Sequence, residues 1–183
     1  MYNDITALPR KDFAGHILPI GYTADRYFDV RIDESDGFHV CMQEKIADPP
    51  IVHTPEEYDF PDRLYEDDRA DAEAFGIVRD GELLAAIELC PEKWFNRLRI
   101  TELWVHESIR RQGVGHALID LAVNKAKTGG FRALVLETQS CNIHAIRFYR
   151  HEGFRLIGFD ACAYANNDVA RREVRLELGM LFD

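Results

Sequence analysis

Arg110-Arg111-Gln112-Gly113-Val114-Gly115 stands between two segments of opposite character. Before it, Ile100-Thr101-Glu102-Leu103-Trp104-Val105 is a short run with strand character. After it, Val114, Ala117, Leu118, Leu121, Ala122 and Val123 fall near i, i+3, i+4 spacing until Gly129-Gly130, which predicts a helix over 113–128. The junction therefore reads as strand, turn and helix. Glycines at 113 and 115 keep side-chain bulk away from an approaching ligand. The unpaired amides and positive dipole end of the helix then face it. Arg110 and Arg111 add fixed positive charge suited to phosphate. The stretch is a cradle for a phosphate-bearing ligand. It contains neither G-x-x-x-x-G-K-[ST] nor G-x-G-x-x-G, so the P-loop and the dinucleotide fingerprint are excluded.

About 27 residues further on, a second motif follows a strand expected over 131–138. It reads Asn142-Ile143-His144-Ala145-Ile146-Arg147-Phe148-Tyr149-Arg150-His151-Glu152-Gly153-Phe154. Asn142 is a good N-cap and Gly153 a good residue just past a helix end, which predicts a helix over 142–151. Asn142, Ala145 and Tyr149 then lie roughly on one face.

Together, R-x-x-G-x-G and N-x-x-A-x-x-F-Y-x-x-x-G-F resemble the acetyl-CoA-binding core of the GNAT superfamily of N-acetyltransferases, over about residues 74–165. Within that superfamily the chain is most similar to the streptothricin acetyltransferases. That likeness rests on Phe28-Asp29-Val30, Ile87-Glu88-Leu89, Ile100-Thr101-Glu102, Leu136-Glu137-Thr138-Gln139, and Asp160 with Tyr164. The resemblance implies an α+β fold: a GNAT-type mixed, mostly antiparallel twisted sheet with flanking helices and splayed central strands at 100–105 and 133–138. It implies one acetyltransferase domain over 1–183, with an acidic acceptor side at about 28–73. Acetyl-CoA would be held along Leu103, Trp104 and Val105 and on Arg110, Arg111, Gln112, Gly113, Val114 and Gly115. Asn142, Ala145 and Tyr149 complete that set, and an oxyanion donor is expected among the backbone amides near Val105.

Acetyl transfer to an amine requires removal of the ammonium's proton and, at the other end, a proton for the departing thiolate. Tyr149 stands in the family's general-acid position. Glu88 and Glu102 each interrupt an apolar strand, where a carboxylate is costly without a partner or a task. Either is a candidate base, with a pKa raised on burial. The structural alternative is pairing with an arginine such as Arg97 or Arg99. Strand parity does not separate the two glutamates, because strands in the family it resembles often carry a bulge that resets it. Asp29, Glu88, Glu137, Asp160 and Tyr164 are candidate acceptor-binding residues, and Trp94, Trp104, Tyr58 and Tyr65 are aromatic candidates for either the acceptor wall or ordinary packing.

The composition agrees with this picture. The net charge is −10, and fourteen acids face three bases between residues 33 and 75. Such a chain is a poor match for nucleic acid and suits a small cationic amine. No apolar run approaches a membrane span and no signal peptide is visible, so a cytoplasmic protein is expected. Cys41, Cys90, Cys141 and Cys162 are far apart and read as buried free thiols. The histidines show no metal-ligand spacing, so no metal is expected. Dimers are frequent in the family, and the C-terminal strands offer edges that could pair across one.

Along the chain, 1–26 is a helix or loop, and strands at 27–32 and 38–46 join through Ser35-Asp36-Gly37. Residues 47–70, with Pro49, Pro50, Pro55 and Pro61, read as a long loop with a helical turn near 62–70. Asp80-Gly81 is a strong hairpin signal between strands at 74–78 and 83–89. Further strands are expected at 97–105, 155–164 and 172–181.

Overall fold

The computed structural model describes residues 4–55 and 61–182. Tyr58 lies outside the described residues. The chain divides into two compact units. The first comprises residues 1–20, 55–136 and 180–183, the second 21–54 and 137–179.

In the first unit, β1 (Thr6–Leu8), β4 (Glu73–Arg79), β5 (Glu82–Glu92), β6 (Arg97–Val105) and β7 (Ala133–Gln139) lie in that order in one sheet. All neighbours are antiparallel except β6 and β7, which are parallel. The β4–β5 hairpin turns on Asp80 and Gly81, both at positive φ (52° and 84°), as a type I′ turn requires. Strand β6 alternates between half-buried and buried residues, with Leu98, Ile100, Glu102 and Trp104 inward. Helix α2 (Val114–Thr128) covers this sheet with Val114, Leu118, Ile119, Ala122 and Ala126, and ends before Gly130 at φ 70°. On the other side, Trp104 and Ala86 pack with Leu8, Leu18, Leu64, Tyr65 and Ala72. That cluster ties the segment before β4, and the N-terminal segment with its short helix α1 (Arg10–Phe13), to the central strands.

The second unit holds the hairpin β2 (Tyr22–Asp33) and β3 (His39–His53), helix α3 (Ile143–His151), β8 (Arg155–Asp160), the short helix α4 (Asp168–Arg171) and β9 (Arg175–Leu181). Strands β8 and β9 pair antiparallel in this unit. Val30, Ile146, Val174 and Leu176 form one apolar cluster here, and Tyr27, Ala47 and Cys141 another.

The mixed, mostly antiparallel α+β architecture is the one expected from sequence, with three local corrections. The 47–70 loop is shorter than expected, because β3 runs through Pro49 and Pro50 to His53. Its pairing jumps from Ala24↔Ile51 to Arg26↔Ile46, so both prolines sit in the irregular stretch where no ladder N–H is demanded of them. Residues 6–8 form a strand, and α4 was not anticipated. All four cysteines are free, but only Cys141 is buried, while Cys41 and Cys162 are exposed. Among the described residues no helix is long and apolar enough to cross a membrane.

Candidate active site

The turn before α2 is shaped as an anion cradle. Arg111 (φ 58°) and Gly113 (φ 83°) are both left-handed, which turns successive peptide N–H groups toward one side. Gly113 is the N-cap of α2 and no side chain caps that helix end. Arg110, Arg111, Gln112 and Gly113 are exposed, and Gly115 is half-buried. Arg110 Nε donates to the Val105 carbonyl at 2.8 Å, and Gln112 Nε2 to the Ser108 carbonyl at 3.1 Å. The first bond fixes the turn against the end of β6, and the second closes it on the short turn at 107–109. The Val114 side chain belongs to the core, so only its amide is available to a ligand.

Strand β6 pairs with β7 through Arg97–Ile100. His106 N–H donates to the Leu84 carbonyl, and Trp104 stands opposite Ala86 in the same register. Antiparallel bonding alternates, so the peptide groups of Leu103 and Val105 point away from β5, beyond the last β7 pair. The Val105 carbonyl is taken by Arg110, so the Leu103 N–H and C=O and the Val105 N–H are the groups turned outward for strand-like pairing with an extended amide chain. The Trp104 side chain is core.

Glu88 and Glu102 face each other in register on β5 and β6, with a bulge at Thr101. Both are buried, at 0% and 7% exposure. Their cation is Arg69, which lies on the segment before β4. Its Nη1 donates to Oε1 of Glu88 at 3.0 Å and to Oε1 of Glu102 at 2.9 Å. Arg97 and Arg99, the partners anticipated from sequence, instead bind Glu92. Glu88 also accepts from Thr101 Oγ1 at 2.8 Å and from the Tyr65 N–H at 2.5 Å. Burial pushes the Glu102 carboxyl up to about 8, against the pull of Arg69 and with the help of Asp62 and Glu88. For Arg69, burial works against the charged form, but its bonds to Glu102 and Glu88 outweigh this and raise its pKa. Tyr65 is a structural residue: its hydroxyl donates to the Leu8 carbonyl at 2.5 Å and accepts from the Ala74 N–H at 2.9 Å.

In the second unit, Asn142 Oδ1 accepts from the Ala145 N–H at 3.2 Å and caps α3 as expected. Tyr149 is 9% exposed, and its ring meets Phe154 edge-on at 5.8 Å. The acidic candidates already have partners. Asp29 is bound by Lys45 and by Arg31 at 3.0 Å, and the Lys45 bond holds its carboxyl below the usual range. Glu137 pairs with Arg175 at 2.6 Å. Asp160 accepts from the Cys162 N–H at 2.9 Å, which lowers its pKa. Tyr164 is 39% exposed, with its N–H on Asp168 Oδ2 at 2.9 Å, and Trp94 is 92% exposed.

Residues 38–154 match the family model described as the acetyltransferase (GNAT) family. The chain is 32% identical over 151 residues to a streptothricin acetyltransferase from Streptomyces lavendulae, covering 78% of this chain and 76% of that protein. The crystal structure of a nourseothricin acetyltransferase superposes with a TM-score of 0.76 at 29% identity, covering 97% of this chain and 96% of that one. An IAA acetyltransferase from Bacillus cereus shares the fold over 61% of this chain and 79% of its own, with a TM-score of 0.52 and 21% identity.

Proposed function

The chain belongs to the acetyltransferase (GNAT) family of N-acetyltransferases, and from that premise we propose that it acetylates streptothricin on its β-lysine amine, with acetyl-CoA as donor. The observation that carries this reading is the extent of the likeness. The fold shared with the Bacillus cereus enzyme reaches 61% of the chain, whereas the likeness to the nourseothricin enzyme reaches 97%. The additional length includes segments outside the nucleotide-binding motifs, where acceptor recognition belongs.

Acetyl-CoA supplies an activated thioester. In this reading the amides of residues 112–115, with Arg110 and Arg111, bind its pyrophosphate. The outward N–H and C=O of Leu103 pair with its pantetheine amides, and the Val105 N–H serves the oxyanion. Asn142 and Ala145 line the arm from α3, and Tyr149 gives a proton to the departing thiolate. Asp29, Glu137, Asp160 and Tyr164 are acceptor-side contacts, although a cationic amine must compete there with Lys45 and Arg175. Glu102 is the better base. It accepts one bond, from Arg69, and its second oxygen carries none among the described residues. A carboxyl near pH 8 is also well matched to an amine that must lose its proton.

A thiol-release assay with acetyl-CoA tests the proposal, run against streptothricin, aminoglycosides, polyamines and a lysine peptide. Turnover of streptothricin at micromolar concentrations, with the other amines poor, is the expected result. Efficient turnover of a different amine, with streptothricin inert, refutes the acceptor while keeping the chemistry.

A further inference from the structure

Among the described residues, Glu88 and Glu102 share a single cation, Arg69. One guanidinium cannot neutralise two buried carboxylates, so the cluster carries an excess negative charge when both are ionised. That state is costly away from water. The two carboxylates are not equally supported. Glu88 receives three donors, from Arg69, Thr101 and the Tyr65 backbone. Glu102 receives one, from Arg69. The proton that relieves the excess charge therefore falls on Glu102.

Arg69 itself is held from several directions. Its carbonyl accepts from Arg10 Nη2, and its Nη2 lies 3.6 Å from Oε2 of Glu66. Asp68 stands 4.0 Å from its Nε. The guanidinium of Arg10 sits 4.6 Å over the Tyr65 ring, whose hydroxyl ties residue 65 to β1 and β4. The segment carrying Arg69 is thus clamped to the strands, and the side chain, 21% exposed, enters the cluster from a fixed point.

We propose that Arg69 is a positioning residue for acetyl transfer: it fixes one oxygen of Glu102 and leaves the other open to the acceptor amine. This rests on the reading of Glu102 as the base. The charged groups acting on Glu102 are Arg69 and Asp62 from the segment before β4 and Glu88 from β5, with Glu66 and Asp68 acting through Arg69. Removing the guanidinium takes away the one donor that favours the carboxylate, so the proton is held more tightly and the base works only at higher pH.

The test is a carbon-detected NMR titration of the glutamate carboxyls in the whole protein, assigned with Glu102→Gln, for wild type, Arg69→Gln and Arg69→Lys. Glu102 in wild type is expected to titrate near 8. In Arg69→Gln the midpoint rises by about one pH unit or more, and Arg69→Lys falls between them. The alkaline-rising limb of kcat/KM, for whichever amine is turned over, moves the same way, and activity recovers at high pH. An unmoved midpoint in either folded variant overturns the proposal, as does activity lost equally at every pH. If Arg69→Gln does not fold, by circular dichroism, Arg69→Lys decides. Full activity of Glu102→Gln at all pH values refutes the base reading itself, whereas failure of Arg69 to control Glu102 appears only in the titration.

Discussion

Glu88 and Glu102 are the same residue type, opposite one another, and still have unequal hydrogen-bond partners. Like charges in register are unfavourable, and the conflict is resolved by unequal donors. Glu88→Ala strands the buried Tyr65 N–H and frees Arg69 from one carboxylate, so stability falls by about 1–3 kcal/mol for the orphaned donor alone, measurable by urea denaturation. Glu102→Gln keeps the fold and lowers kcat by about 10²–10⁴ at neutral pH, the usual span for a lost general base. A stable Glu88→Ala or a fully active Glu102→Gln reverses these assignments. For Tyr149→Phe, kcat falls by about one to three orders while acetyl-CoA affinity, read by calorimetry, is retained. Both carboxylates stood out in sequence because each breaks an apolar strand. Their cation did not, since Arg69 lies 19 and 33 residues away, and local spacing carries no trace of such a contact.

At the scale of elements, the strand–turn–helix around 110–115 formed as read, because its signals are local: apolar periodicity, a left-handed glycine and a glycine stop. Gly113→Val places a β-branched residue at φ 83° and fills the cradle, so acetyl-CoA affinity drops at least about tenfold by calorimetry. Unchanged affinity removes the cradle from the binding site. Asn142→Ala loses the cap on Ala145 and costs about 1 kcal/mol. The hairpin β2–β3 shows the opposite case. Prolines at 49 and 50 argue against a strand by propensity, but an irregular register absorbs them, and register is a property of two segments together.

For the whole molecule, part of the acidity is offset by ion pairs at the surface. Glu44 meets Arg26 and Arg147, Asp71 meets Lys93, and Glu73 meets Lys125. The uncompensated remainder still favours a cationic acceptor, and kcat/KM for streptothricin is expected to fall severalfold between about 0.05 and 0.5 M salt. A salt-independent rate would place recognition in contacts rather than in the field. Glu102 also couples stability to pH. Folded, it keeps its proton to about 8, against an ordinary value of 4.5. The folded state binds the extra proton in that window, and stability declines as pH rises through it. Glu102→Gln should flatten that decline in denaturation curves taken at about pH 5, 7 and 9. The amino-acid sequence by itself determined the strand–turn–helix around 110–115, the capped α3 and the family, because each is written in neighbouring residues. Only the tertiary structure decided which glutamate is left short of donors. That depends on where a distant arginine, a threonine hydroxyl and one backbone amide converge, and burial makes the difference count.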